Sequence, residues 1–193
     1  VTSIALDTEF VRTRTYYPQL GLIQLFDGQQ TSLIDPLGIT DWAPLQAILQ
    51  NTDITKFLHA GSEDLEVFLN VFGSMPKPLI DTQILAAFCG RPMSWGFAAM
   101  VEEYTGVKLD KSESRTDWLA RPLTERQCIY AAADVWYLLP IAHKLMAETE
   151  QAGRLEAALD ECRLMQQRRQ EVVDPAEAWR DITNAWQLRT RQL

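Results

Sequence analysis

The stretch Ser3-Ile4-Ala5-Leu6-Asp7-Thr8-Glu9-Phe10 constrains the chain most. Its alternation predicts a strand, and residues two apart on a strand share a face. Ile4, Leu6, Thr8 and Phe10 then lie on one side, and Asp7 and Glu9 project together from the other. Two carboxylates at the end of an otherwise apolar strand repel each other. Burying them without compensation costs on the order of several kcal/mol. Either the strand end frays into solvent and both acids are hydrated, or a divalent cation binds between them. This stretch alone leaves both readings open.

The segments that follow suggest the sheet to which that strand belongs. Leu20–Phe26 reads as a second strand, Asp27-Gly28 as a hairpin turn, and Thr31–Asp35 as a third strand ended by Pro36. The chain thus opens with a three-stranded antiparallel meander. Asp41 is expected to cap a helix running to Gln50, with Pro44 tolerated in its first turn. A short strand at 55–59, a turn at 60–62, and a helix bearing Leu65, Phe68, Leu69 and Phe72 follow. Residues 78–81 read as a strand, 82–88 and 95–104 as helices, and 108–122 as an unpatterned polar loop. Thr124-x-x-Gln127 is a capping box opening a long helix that Pro140 is expected to kink. Helical pattern continues to Met146 and again from Leu155 to about Arg169. Helices alternating with strands after a meander predict an α/β fold: a mixed five-stranded sheet, with parallel strands added to the meander and helices flanking it.

Val173-Asp174-Pro175 marks a break, and residues 176–193, with Trp179 and Trp186, again read as helical. The expected organisation is one domain over 1–170, followed at 171–193 by a linker and the start of a further helical domain. Val1 leads straight into a strand and Leu193 falls within helical pattern, so a fragment of a longer protein is expected. With 193 residues and 47% hydrophobic residues the chain can bury a proper core. No apolar run is long enough to span a bilayer and no leader is evident, so no membrane partner is expected. Cys89, Cys128 and Cys162 are odd in number and widely spaced, which suggests a reducing, cytoplasmic setting rather than a disulfide frame or zinc site. The net charge of −8 disfavours a nucleic-acid binder, unless acids cluster around metal ions.

Two further positions bear on that exception. Asp64 falls in the first turn of the helix after His59-Ala60-Gly61-Ser62, where an acid suits the helix dipole and needs no other role. Tyr130 and Asp134 stand four apart in the capped helix and share a face. Asp134 sits between Ala131-Ala132-Ala133 and Val135-Trp136-Tyr137, too apolar a setting for a merely solvated acid.

Asp7-Thr8-Glu9, Asp64 after His59-Ala60-Gly61, and Tyr130-x-x-x-Asp134 together resemble the DEDD superfamily of 3′–5′ exonucleases, in its tyrosine subclass. The words Asp7-Thr8-Glu9-Phe10, Leu58-His59-Ala60, Asp81-Thr82-Gln83 and Thr116-Asp117-Trp118 are similar to the bacterial ribonuclease D family, over essentially residues 3–170. The resemblance implies a ribonuclease-H-like core and a metal-dependent exoribonuclease that releases nucleoside 5′-monophosphates from single-stranded RNA 3′ ends. It implies transfer-RNA precursors or other stable RNAs as partners; a monomer is expected. It also implies two divalent cations, Mg²⁺ or Mn²⁺, on Asp7, Glu9, Asp64 and Asp134. Asp7 would bridge both ions, Glu9 and Asp134 would hold one, and Asp64 the other, largely through water. Tyr130 would orient the attacking water with Glu9; a phenol of pKa about 10 is a poor base at neutral pH.

Thr8, Phe10, His59, Lys111 and Trp118 are the candidates for touching substrate, Trp118 and Phe10 by stacking on a base. Arg12, Arg14, Arg115 and Arg121 are candidates for the trailing strand, and Asp81 is expected to be structural. Three other readings stay open: a proofreading-type DNA exonuclease, a binding module that has lost catalysis, and a carboxylate-based phosphatase acting on small molecules.

Overall fold

The structure is a computed structural model describing residues 1–171. The Val173-Asp174-Pro175 break and the helical pattern of 176–193 lie outside the described residues. β1 (Ser3–Val11), β2 (Gln19–Phe26) and β3 (Thr31–Ile34) form the antiparallel meander. β4 (Thr55–Leu58) and β5 (Leu79–Asp81) add in parallel beyond β1, giving the order β3-β2-β1-β4-β5. The α/β architecture expected from the alternation is therefore the fold. Its helices are α1 (Ala43–Gln50), α2 (Ser62–Phe72), α3 (Thr82–Phe88), α4 (Phe97–Thr105), α5 (Glu125–Gln151) and α6 (Leu155–Gln170).

β1 is the central strand, and both its faces are covered. Ile4 and Leu6 pack with Leu45 and Leu49 of α1 and with Leu65 and Phe68 of α2. Ala5, on the other face, lies in a second cluster with Val135, Leu138, Ile141 and Ala142 of α5. Asp7 and Glu9 continue the Ala5 face, so they point toward α5. Thr8 continues the Ile4 face, toward α2. A register shift between Glu9 and Phe10 in the pairing with β2 marks a bulge just after the second acid. Such bulges re-aim side chains and often sit beside active sites.

The capping box forms as expected: Gln127 N–H donates to Thr124 Oγ1 (3.1 Å), and Thr124 N–H donates to Gln127 Oε1 (2.9 Å). α5 then runs unbroken through Pro140, which lies on its exposed side. α1 begins at Ala43, where Asp41 accepts from the Ala43 amide (2.9 Å). Among the described residues, no helix is long and apolar enough to cross a membrane.

The loop over 108–122 is firmly held along its second half. Trp118 is 1% exposed and packs with Leu22, Ala131 and Tyr130. Arg121 donates to both Asp35 oxygens (2.8 and 2.7 Å) and to the Gly21 carbonyl (2.7 Å). A Cβ at Gly21 would lie 2.6 Å from the Trp118 carbonyl oxygen and 2.9 Å from its Cβ, so only glycine permits this approach. Gly21→Ala is expected to destabilise the protein by about 1–3 kcal/mol, the usual range for overpacking. Urea unfolding would check it: a lower midpoint with an unchanged slope is expected.

Candidate active site

β1 and α5 bring three acids together. Asp7, Glu9 and Asp134 each offer a carboxylate oxygen, and these oxygens lie within 4.8 Å of one another. All three residues are half-buried. α5 packs against β1 through Val135 and Leu138, which share an apolar cluster with Ala5, while Ala131 packs with Leu22 and Trp118. Tyr130, one turn before Asp134 on the same helix face, is half-buried and lines with Asp7 and Asp134 a pocket of about 150 Å³. His59, Phe97 and Leu138 complete its wall.

Asp64 belongs to the same neighbourhood but not to that trio. It is 7% exposed, in the first turn of α2, and accepts a short hydrogen bond from the Thr8 hydroxyl. Thr8 is thus a buried anchor for Asp64 rather than a surface contact for substrate. The turn that delivers Asp64 is unusual. Ala60 has φ 54°, a left-handed conformation that non-glycine residues rarely adopt. At Gly61 a Cβ would lie 2.9 Å from the Leu58 Cβ. Asp81 fixes this turn by accepting from the amides of Ala60 (3.0 Å) and Gly61 (2.9 Å), while capping α3 through the Gln83 amide (2.7 Å). Asp81 is 1% exposed and structural, as expected.

The electrostatics of the group are one-sided. Among the described residues, no ion pair includes Asp7, Glu9, Asp64 or Asp134. Burial, followed by the charges of Asp64, Asp134 and Glu9, holds the Asp7 carboxyl well above the ordinary carboxylate range. Burial and then Asp134 push Glu9 up to about 9. Burial raises Asp134 to about 7 and Asp64 to about 6, the latter against the Thr8 hydrogen bond. Converging oxygens without a protein cation are the donor set that a hard divalent ion requires. Tyr130 is pushed upward by burial and by the same acids, so its phenol keeps its proton. It can donate a hydrogen bond but cannot act as a base.

The candidates for substrate contact fare unequally. Phe10 is half-buried against the apolar cluster on the α2 side, away from the acids. Trp118 lies in the core, so neither ring face is free to stack on a base. His59 lines the pocket, but Nε2 donates to the Trp95 carbonyl (2.8 Å) and Nδ1 pairs with the Thr82 hydroxyl (2.9 Å). Both ring nitrogens are engaged, and burial lowers its pKa, so it serves as a neutral wall. Arg121 is consumed by Asp35 and the loop, and Arg12 pairs with Glu66. Lys111 is exposed on the rim of a cleft of about 450 Å³ that shares Phe97, Tyr130 and Asp134 with the carboxylate pocket.

Two features were not anticipated from the sequence. One is the cleft itself, floored by Ile129, Tyr130, Ala133 and Tyr137 along one stripe of α5 and walled by Phe97 and 108–114. The other is Gln24, which faces Asp7 across the β1–β2 pairing, is fully buried, and donates to Glu9 Oε1 (3.3 Å). Its own Oε1 has no hydrogen-bond partner among the described residues. A lone amide inside the apolar strand Leu20–Phe26 was the available signal.

Residues 1–150 match the 3′–5′ exonuclease family, and the chain belongs to it. Over 191 residues it is 85% identical to ribonuclease D of Escherichia coli (strain K12), covering 99% of this chain and 51% of that protein. The crystal structure of E. coli RNase D, described as an exoribonuclease involved in structured RNA processing, superposes with a TM-score of 0.93 at 84% identity. That match covers 100% of this chain and 51% of the other. Brucella melitensis NrnC with bound Mg²⁺ matches at TM-score 0.78 and 26% identity, covering 94% of this chain and 88% of that one. The chain spans about half the length of the curated relatives it matches.

Asp7→Asn is expected to raise the stability of the metal-free protein at about pH 8, because folding at that pH must either protonate the buried Asp7 carboxyl or hold its charge against its neighbours, and an amide requires neither. A group whose pKa is raised by folding stabilises below its unfolded value and loses that contribution as pH rises through the folded one. The difference between wild type and variant should therefore shrink steadily on acidification and vanish only near about pH 2, below the unfolded carboxyl pKa of about 3.9, where these acids are protonated in both states. Melting in EDTA across that range checks it; a Tm gain of a few degrees at pH 8 corresponds to about 1 kcal/mol in a domain of this size.

Proposed function

We propose that this chain carries the catalytic domain, residues 1–170, of a divalent-metal-dependent 3′–5′ exoribonuclease. It removes nucleoside 5′-monophosphates from single-stranded RNA 3′ ends, in the maturation of transfer-RNA precursors and other stable RNAs in the cytoplasm. It acts as a monomer, and residues 171–193 lead into a further helical domain. The observation that carries this reading is the trio Asp7, Glu9 and Asp134 within 4.8 Å, beside Tyr130 and at the mouth of a cleft.

Asp7, Glu9, Asp64 and Asp134 would hold two ions, Mg²⁺ or Mn²⁺. Divalent cations bound there supply charge relief at the scissile phosphate and a water of lowered pKa. NrnC, with Mg²⁺ bound, supports this assignment by its likeness. The protein's own groups do the positioning. Gln24 orients Glu9 through its amide N–H. Tyr130, which keeps its proton, donates a hydrogen bond to an oxygen placed beside Glu9 and Asp134. The cleft along α5 takes the nucleotide at the cut, its base against the apolar stripe and its phosphates near Lys111. Since residues 116–122 are clamped by Trp118 and Arg121, any closure over the 3′ end falls to 108–114.

The runner-up is a DNA exonuclease with the same carboxylates. RNA is told from DNA through the 2′-hydroxyl, and the likeness to ribonuclease D is what favours RNA here. Labelled oligonucleotides test the reading. With Mg²⁺, 3′-labelled single-stranded RNA should lose its label at once as a mononucleotide, while 5′-labelled RNA shortens as a ladder. Faster loss from DNA of the same sequence would select the runner-up. Early internal fragments would rule out both.

Lys111→Ala is expected to raise KM with little change in kcat. It should also reduce the salt dependence of binding by about 0.7, the slope carried by one phosphate contact on a single strand. Binding titrations at several salt concentrations check it, and an unchanged slope would remove Lys111 from the phosphate path.

A further inference from the structure

The loop between β1 and β2 has no part in the carboxylate site or the cleft, yet it presents an unusual surface. Tyr16 is 82% exposed and Tyr17 55%. Their rings meet edge to face, with centroids 4.9 Å apart and planes at 90°. The loop that carries them is braced from within. Thr15 Oγ1 donates to the Tyr17 carbonyl (2.6 Å), and Arg12 Nε donates to the Tyr16 carbonyl (3.1 Å). Pro18, the next residue, is buried. Arg12 is held in turn by Glu66, with Glu63 at 3.9 Å, both on the helix that carries Asp64. Beside the tyrosines stands Arg14, exposed and without an ion-pair partner among the described residues.

A single exposed tyrosine needs no explanation, since its hydroxyl is content in water. Two adjacent rings, fixed by backbone hydrogen bonds and flanked by a free guanidinium, have the composition of a stacking platform for single-stranded nucleic acid. The loop starts just beyond Glu9, at the carboxylate end of β1, and is pinned to α2. The cleft lies on the α5 side of the same strand end. The two surfaces therefore flank the carboxylates from opposite sides.

We infer that Tyr16, Tyr17 and Arg14 form a second binding surface, on which upstream bases of the single-stranded substrate stack while its 3′ end lies at the carboxylates. This rests on the proposed exoribonuclease reading. It divides the labour of binding: the cleft grips the nucleotide being removed, and the loop holds the strand behind it. Because Arg12 is neutralised by glutamate, Arg14 is the loop's one phosphate contact. Attachment there is mostly by stacking and only weakly salt-dependent.

The test compares a dinucleotide with a single-stranded RNA of roughly ten residues on the chain as it stands. Tyr16→Ala/Tyr17→Ala should raise KM for the longer RNA by about tenfold or more, since base–aromatic stacking is worth about 1–3 kcal/mol per base. It should leave kcat/KM for the dinucleotide within about twofold of wild type, a margin of about 0.4 kcal/mol. Tyr16→Phe/Tyr17→Phe should retain the affinity, because the ring face and not the hydroxyl is used. Arg14→Ala should lower the salt slope by about 0.7. Both tyrosines are exposed, so an unchanged Tm is expected of the double variant and shows that folding is intact. Equal losses on both substrates, or no loss on either, would overturn the platform. Anisotropy of the fluorescent longer RNA in EDTA reads the platform without chemistry. If the wild-type chain binds through these tyrosines but hydrolyses no RNA, the exoribonuclease reading fails and the surface stands.

Discussion

Mutual repulsion among Asp7, Glu9, Asp64 and Asp134 is the constraint on which the rest of this structure depends. Asp7, Glu9 and Asp134 meet beside Asp64 with no ion-pair partner among the described residues, and burial raises the cost of every charge. Such a group forms only if the scaffold holds it against its own field. The scaffold does so from three directions. β1 is locked between two partner strands and two apolar layers. α5 is capped by Thr124 and Gln127 and packs on the strand through Val135 and Leu138. The left-handed Ala60 turn is fixed by Asp81. The first two stabilise the fold, and only the left-handed Ala60 turn is costly locally, as expected where function sets the geometry.

The parts of the site carried by local periodicity were legible in the sequence. Asp7 and Glu9 share a face because strands alternate, and Tyr130 and Asp134 share one because helices return after four residues. The mixed sheet followed from a meander and then alternating helices and strands. What sequence patterns could not convey was contact between distant segments. Trp118 was a candidate for stacking on a base because it stands in a polar loop; its burial depends on Gly21, nearly a hundred residues away. Arg121 read as a free loop cation for the same reason, though Asp35 and the Gly21 carbonyl had claimed it. His59 stands where expected, but Thr82 and the Trp95 carbonyl occupy its nitrogens. Gln24 was visible as a polar residue in an apolar strand, yet only the β1–β2 register shows that it faces Asp7 and reaches Glu9.

The net charge of −8 then ceases to argue against a nucleic-acid substrate. Part of that charge is the acidic site itself, and under the proposed function divalent cations would invert it into an attraction for phosphate. Several arginines that look available on paper are spent on the fold: Arg121 on Asp35, Arg12 and Arg169 on Glu66, Arg126 near Asp110 and Glu113. Few free cations remain near the site, with Lys111 and Arg14 among them. On the proposed function, recognition is left to apolar and aromatic surfaces close to the carboxylates, a division suited to a substrate held by its end.

The central claim is that the Asp7 and Glu9 carboxyls hold protons in the metal-free protein and surrender them to a divalent cation. Titration calorimetry of the chain with Mg²⁺ near pH 7, in two buffers of different ionisation enthalpy, measures this directly. Metal binding to protonated ligands releases protons. The account predicts saturable binding with a buffer-dependent heat, reporting net proton release that diminishes as the pH is raised toward 9. Binding with the same heat in both buffers, or no saturable binding at all, would contradict it.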